Sequence, residues 1–285
     1  MRLDIWKMRF GIWRIDRRRD RVIPLPQGVT QHRNLSYGSH GKWSRLDVYY
    51  PEGTAQPLPT IVSIHGGGFV YGTKEIYRRY CMDMARRGFA VVNFNYRLAP
   101  ENRFPAPLED TNAVLQWVAA NAAQYHLDPE RIILLGDSAG AQLTSHYAAI
   151  ATNPAFAAHF AFTVPEISIR AVGLFCGFYD TSDFGTGPSD YLAPEAKTDD
   201  PRFPVLDAVT AGFPPAFIAT SCHDFLRPAA EPMYEFLKAR GIAAKWKCYG
   251  TEERTEVGHV FHVNIILPEA RQCNDDAAAF FKQYL

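Results

Sequence analysis

Short apolar runs recur along this chain, each separated from the next by a stretch with helical spacing, and that alternation limits the folds open to it. Trp43 to Tyr50 shows period-two apolarity and Thr60 to Ile64 is a short apolar run. Ile76 to Arg87 reads as a helix closed by Gly88, and Phe89 to Phe94 as a buried strand. Thr111 to Gln124 places Val114, Leu115, Val118 and Ala122 on one helical face, and Asp128-Pro129 is expected to break the chain before a strand from Arg131 to Leu135. Farther on, Ala139, Leu143, Tyr147 and Ile150 mark one buried helix face. Strands at Ala171 to Cys176, Ala216 to Thr220 and Lys245 to Tyr249 alternate with a helix from Glu231 to Arg240, capped by Gly241, and a final helix from Glu269. Apolar runs with helices between them need cover on both sides. The expectation is an α/β fold with a mostly parallel central sheet and helices on both faces.

The chain has 285 residues, 47% of them hydrophobic and 21% charged, enough for one large core. No Pro/Gly/Ser-rich linker, low-complexity tract or internal repeat divides it, so a single domain over residues 1–285 is expected. Thirty basic residues balance thirty acidic ones, which leaves no global field to recruit nucleic acid or anionic lipid. Cys81, Cys176, Cys222, Cys248 and Cys273 include no Cys-x-x-Cys spacing and read as reduced core thiols. With no signal-like apolar stretch near Met1 and no run of membrane-spanning length, a cytoplasmic location without stable membrane insertion is expected.

Two segments stand outside the alternation. At the start, Ile5, Trp6, Met8, Phe10, Ile12, Trp13 and Ile15 are interleaved with Arg2, Lys7, Arg9, Arg14 and Arg17-Arg18-Arg19. A basic amphipathic membrane anchor and a segment covering a cleft both fit this pattern. Because Asp4, Asp16 and Asp20 interrupt the charge, the preferred reading is an N-terminal cap segment over residues 1–40. Residues 178–213, rich in Asp, Pro and Thr with Tyr179, Phe184, Tyr191 and Phe203 among them, read as a small cap insertion over the same sheet edge.

Gly136-Asp137-Ser138-Ala139-Gly140 follows directly on the apolar run ending at Leu135, where a buried strand turns sharply into a helix. Such a nucleophile elbow lifts the Ser138 hydroxyl clear of the sheet, and the glycines allow a turn too tight for a Cβ. His65-Gly66-Gly67-Gly68 stands after another apolar run, Ile61 to Ile64. A serine attacking an acyl carbonyl creates an oxyanion that needs preorganised donors. Gly67, Gly68 and Ala139 are the candidates for these amides, with Gly66 shaping the loop.

Ser138 needs a base, and the base a carboxylate to orient it. Among the histidines, His223, His259 and His262 lie where an acid-then-base order after the serine puts the partner. His259 opens Gly258-His259-Val260-Phe261-His262 after the last strand and a polar loop, and is the preferred base; His262 is the runner-up. Asp224 follows strand Ala216 to Thr220 and is the preferred acid, ahead of Asp207, Glu253 and Glu256. A helix-capping role near Pro228 is the structural alternative for Asp224.

With His65-Gly66-Gly67-Gly68-Phe69, Asn95-Tyr96-Arg97-Leu98-Ala99-Pro100, Gly136-Asp137-Ser138-Ala139-Gly140, Asp224-Phe225-Leu226-Arg227 and His259-Val260-Phe261 in this order, the chain resembles the hormone-sensitive-lipase-like branch of the α/β-hydrolase fold over about residues 43 to 285. The resemblance implies a carboxylesterase acting on short acyl esters, with Ser138, Asp224 and His259 as its triad and a small cap. Members usually carry proline where Phe225 stands and glycine where Val260 stands, which implies altered loop shape and substrate fit. Phe69, Tyr71 and Phe225, with Phe184 and Tyr191, are candidates for narrowing the pocket to acetyl through butyryl groups. Amide cleavage, as in a peptidase or formamidase, and ligand binding without catalysis are the alternative functions. No cofactor or metal is expected, since ligand spacing and a dinucleotide fingerprint are both missing. The expected partner is a small-molecule ester, with homo-oligomer formation left open.

Overall fold

The computed structural model describes residues 3–179, 191–192 and 200–285. One eight-stranded sheet runs through it, in the order β1-β2-β4-β3-β5-β6-β7-β8. The strands are β1 (Val29–Ser36), β2 (Arg45–Pro51), β3 (Leu58–Ile64), β4 (Ala90–Phe94), β5 (Leu127–Asp137), β6 (Ile169–Phe175), β7 (Ala216–Ser221) and β8 (Ala244–Tyr249). β2 is antiparallel to both β1 and β4, and every other pairing is parallel.

Consecutive residues in the central strands face opposite ways, so each strand feeds two cores. Val62, Val92, Leu134 and Val172 pack on one side with α3 (Ala106–Asn121), α4 (Ala139–Thr152) and α7 (Ala230–Ala239). Ile61, Val91, Ile133 and Ala171 pack on the other with α2 (Lys74–Ala85) and α8 (Pro268–Phe281). This two-sided burial is why the runs read as continuously apolar, and each fully buried Leu or Ile contributes roughly 1.5–3 kcal/mol. Two short helices, α5 (Pro154–Ala157) and α6 (Val205–Ala208), and the long α1 (Leu3–Val22) complete the described α-helices.

Three local readings need correction. Residues 29–36, placed by the sequence in the N-terminal cap segment, form edge strand β1. Its Gln31, His32, Arg33 and Asn34 hide it from any apolar pattern, and polar edges of this kind guard against unwanted pairing. Asp128-Pro129 does not break the chain ahead of β5; both residues lie inside that strand, and the irregularity falls in its register with β3 between Pro59 and Thr60. The helix expected from Thr111 begins at Ala106, with Pro105 at its N-cap and Pro107 in its first turn, where a missing N–H costs nothing. Half of the insertion at 178–213, including Phe184, lies outside the described residues, while Tyr191, Phe203 and Phe213 are buried.

Candidate active site

The C-terminal ends of β3, β5, β6, β7 and β8 open onto one edge of the sheet, and the glycine loop, Ser138, Asp224 and His259 follow β3, β5, β7 and β8 there. Ser138 sits between β5 and α4 with φ 54° and ψ −121°, a conformation few non-glycine residues adopt. Its amide donates to the Phe175 carbonyl at 2.9 Å, and its own carbonyl accepts from Ala141 and Gln142. The turn is therefore tied both to β6 and to the helix behind it.

The glycine loop follows β3. Gly67 adopts φ +118°, and a Cβ there would stand 2.1 Å from the Tyr71 carbonyl oxygen. That carbonyl is close because the loop folds back on itself, with the amides of Val70 and Tyr71 both donating to the Gly67 carbonyl. Among the described residues, no acceptor pairs with the amides of Gly67, Gly68 or Ala139. Unpaired amides beside a serine are what an oxyanion requires.

Across the edge, His259 Nδ1 lies 2.7 Å from Asp224 Oδ1. Asp224 follows β7 and is itself held by the Thr220 hydroxyl at 2.8 Å and the Leu226 amide at 2.9 Å. Burial pushes its carboxyl up, but the hydrogen bond and charge of His259, helped by Leu226 and Thr220, outweigh it and keep the group below the ordinary carboxylate range. An ionised Asp224 accepts from Nδ1–H, which leaves the lone pair on Nε2. The competing carboxylates are elsewhere: Asp207 is exposed on α6, Glu253 is exposed, and Glu256 pairs with Arg254 at 2.7 Å.

His262, the runner-up base, is fully buried against the rings of Tyr80 and Phe175, and neither of its ring nitrogens has a hydrogen-bond partner among the described residues. Burial pushes its pKa down to about 3. His223 turns aside to the Glu252 carbonyl at 3.0 Å. His65 is buried as well, stacked on Tyr96 with its Nδ1 2.8 Å from the Gly66 carbonyl oxygen, so it braces the glycine loop from within.

The three candidate pocket residues separate. Phe69 is buried and lies flat on Tyr191 at 3.8 Å, forming a wall beside the glycine loop. Tyr71 is half-buried and directs its hydroxyl to Asp16 of α1 at 2.8 Å, which makes it a clasp between α1 and the loop. Phe225 is 72% exposed, with its ring centroid 4.2 Å from that of His259, and so stands at the rim. Arg9 reinforces the α1 contact by donating to the carbonyls of Val70 at 2.6 Å and Ala99 at 2.8 Å.

A family model for the alpha/beta hydrolase fold matches residues 61–263. The carboxylesterase NlhH of Mycobacterium tuberculosis is 30% identical over 84% of this chain and 77% of its own length. The chain belongs to the α/β-hydrolase fold family, in its hormone-sensitive-lipase-like carboxylesterase branch. An acetyl esterase of Salmonella paratyphi B is 28% identical over 91% of the chain and 78% of its own length. A hyperthermophilic esterase from Pyrobaculum calidifontis superposes with a TM-score of 0.77 at 26% identity, covering 99% of this chain and 94% of that one. Esterase B of Lactobacillus rhamnosis shares the fold with a TM-score of 0.84 at 23% identity, covering 99% and 94%.

Two side chains of this hydrolase escaped the sequence reading. Asp137 is buried behind the serine and accepts the Tyr77 hydroxyl at 2.8 Å, while that hydroxyl accepts the Gly66 amide at 3.1 Å. The triangle locks elbow to glycine loop, and burial, only partly countered by Tyr77, raises Asp137 to about 7. An acid inside an otherwise apolar Gly-x-Ser-x-Gly turn was the available signal. The second is Cys176, just past β6 with φ 49°, whose sulfur lies within 4.8 Å of the ligand atoms of Asp224 and His259. Burial first, and the Asp224 charge second, push its thiol well above the usual range, so it stays protonated. Of the other cysteines, Cys222 and Cys248 are only half-buried, 3.8 Å apart sulfur to sulfur, and not core thiols as the sequence suggested.

Proposed function

We propose that this carboxylic ester hydrolase takes short acyl esters, acetyl to butyryl, and cleaves them through an acyl-enzyme on Ser138. The observation that carries the reading is the 2.7 Å contact between His259 and Asp224, held at the same sheet edge as a serine in a strained turn. With Nδ1 committed to Asp224, Nε2 of His259 takes the Ser138 proton as the oxygen attacks the ester carbonyl. The carbonyl oxygen gains charge and is received by the amides of Gly67, Gly68 and Ala139, while the imidazolium returns its proton to the departing alcohol. Water then attacks the acyl-enzyme by the same route, and the carboxylic acid leaves.

The short acyl preference rests on the ring packing next to the glycine loop. Phe69 stacks on Tyr191, Tyr191 meets Phe104 edge-on at 5.8 Å, and Phe104 packs on Phe203 at 4.6 Å. These rings belong to the main core cluster or pack against it, and their bulk beside the glycine loop is what supports a short acyl chain. Ligand binding without catalysis is disfavoured by the presence of a paired, half-exposed His259.

The test is a series of p-nitrophenyl esters from acetate to laurate, assayed with the wild-type enzyme and with Ser138→Ala and Asp224→Asn. Acetate and butyrate should be the preferred substrates by kcat/KM. Removing the serine oxygen should lower kcat by roughly 10⁶-fold, and Asp224→Asn by about 10⁴-fold, with little change in KM. A Ser138→Ala enzyme of normal activity defeats the mechanism, laurate as the best substrate defeats the acyl preference, and faster cleavage of a matched amide reassigns the reaction.

A further inference from the structure

The outward face of α1 plays no part in the site just described, and it is unlike the rest of the surface. The helix docks through Ile5, Arg9, Ile12, Asp16, Arg19 and Asp20, all buried or half-buried. Of the acids that break up its charge in the sequence, Asp16 and Asp20 turn inward: Asp16 to Tyr71 and Arg19, Asp20 to Arg19 at 2.9 Å. What remains outside is sorted by chemistry. Lys7, Arg14, Arg17, Arg18 and Arg21 are exposed, and among the described residues none is paired with a carboxylate. Between them, Trp6, Phe10 and Trp13 form one stripe, with ring centroids 5.5 and 5.8 Å apart, and the Arg17 guanidinium lies 5.0 Å from the Trp13 ring centre. Ile15 and Val22, about two-thirds exposed at 67% and 66%, lie on the other flank of the helix, so that the cations stand between an aromatic and an aliphatic edge.

We propose that this face is a docking surface for an anionic lipid bilayer. Aromatic and aliphatic side chains would enter the boundary between headgroups and acyl chains, while the unpaired cations meet lipid phosphates. The charge argues for an anionic surface, because burying these cations against an apolar partner would leave them uncompensated. The aliphatic members argue for lipid over nucleic acid, since bases stack on rings and have no use for Ile15 or Val22. No described helix is long and apolar enough to cross a membrane, so the contact is peripheral and reversible. Because Arg9 and Tyr71 fasten the inner face of α1 to the segment after the glycine loop, docking would bring that side of the molecule to the layer where water-insoluble esters collect. That consequence rests on the ester-hydrolase reading, and the binding itself does not.

The experiment is co-sedimentation of the full chain with vesicles of pure phosphatidylcholine, or of phosphatidylcholine containing a quarter phosphatidylglycerol, at low and high salt. Wild-type protein should bind the anionic vesicles at low salt and be released by high salt. The variant Arg14→Glu/Arg17→Glu/Arg18→Glu should bind at least roughly 100-fold more weakly. Trp6→Ser/Trp13→Ser should also lose binding while hydrolysing soluble p-nitrophenyl acetate at the wild-type rate, which excludes misfolding as the cause. Ser138→Ala should bind as wild type does, so failure of the catalytic reading and failure of this one are separable. The proposal is overturned if wild type ignores anionic vesicles at low salt, or if the charge-reversed variant binds equally well. It is also overturned if the face instead captures a single-stranded oligonucleotide or a second copy of the chain while vesicles stay unbound.

Discussion

The nucleophile half of the site and the acid–base half are built on opposite plans. Around Ser138, backbone touches backbone: a Cβ on Gly140 would lie 2.0 Å from the Ile64 carbonyl oxygen and 2.7 Å from that of His65. Around His259, the chain has room, and a Cβ on neighbouring Gly258 would meet nothing nearer than 4.0 Å. One half is positioned by steric contact between main chains, the other by side-chain hydrogen bonds reaching out from loops. The difference predicts where the enzyme tolerates change. Only Asp224, His259 and the atoms that hold them are constrained in the second half, whereas nearly every residue of the elbow is constrained in the first.

Gly140→Ala against Gly258→Ala is the largest expected contrast. The Gly140 substitution must push β3 and α4 apart, since the atoms in the way are backbone, and should cost at least about 4 kcal/mol or prevent folding. Gly258→Ala should stay within about 0.5 kcal/mol of wild type. Urea unfolding measures both, and equal costs would erase the distinction.

Burial raises both buried carboxylates, yet their net shifts are opposite. Asp137, enclosed behind the elbow, is raised to about 7, while Asp224, with His259, Leu226 and Thr220 around it, is lowered. The Asp137 contribution to stability is therefore fully present below the unfolded-state value of 3.8 and is lost as pH rises to about 7. The Asp224 contribution has the reverse sign, present above the unfolded value and lost as pH falls through the folded one. Buried His65, His146 and His262, lowered to about 4, 3 and 3, gain stability with rising pH over part of the same window. The clean reading is thus a difference between proteins. Relative to wild type, Asp137→Asn should become more stable by on the order of 2–3 kcal/mol between about pH 5 and pH 8, by denaturant titration. A difference that does not change with pH would mean that Asp137 is ionised throughout.

The same contrast governs what the sequence could say. The elbow and the glycine loop were legible because steric contact leaves so few residue types that a motif results, and the central strands because two-sided burial makes them apolar throughout. β1 was not legible, since it runs Gln31-His32-Arg33-Asn34 through its middle, and three of these side chains take the polar partners Arg78, Tyr50 and Lys74 in place of an apolar core. Asp224 and His259 could be chosen only by topological order and by family resemblance, because nothing near them in the chain signals a hydrogen bond across 35 residues. Nor does sequence reveal that Asp16 and Asp20 turn inward on α1, which leaves Lys7, Arg14, Arg17, Arg18 and Arg21 as the charges on its outer face among the described side chains. Direction of a side chain is set by what the helix lands on.

Val260 offers the finest test of how loosely the acid–base half is held. It adopts φ 59°, a left-handed conformation that a β-branched residue resists and glycine takes up freely. The backbone strain costs about 1–2 kcal/mol. Glycine would remove it but gives the unfolded chain more freedom, worth roughly 0.4–1 kcal/mol, and surrenders the apolar contact of a half-buried side chain. The terms nearly cancel, so Val260→Gly should unfold within about 1 kcal/mol of wild type, on the more stable side. If urea unfolding instead shows a loss well beyond that, Val260 is held by packing strong enough to override its own backbone preference, and the loop carrying His259 is as tightly built as the elbow.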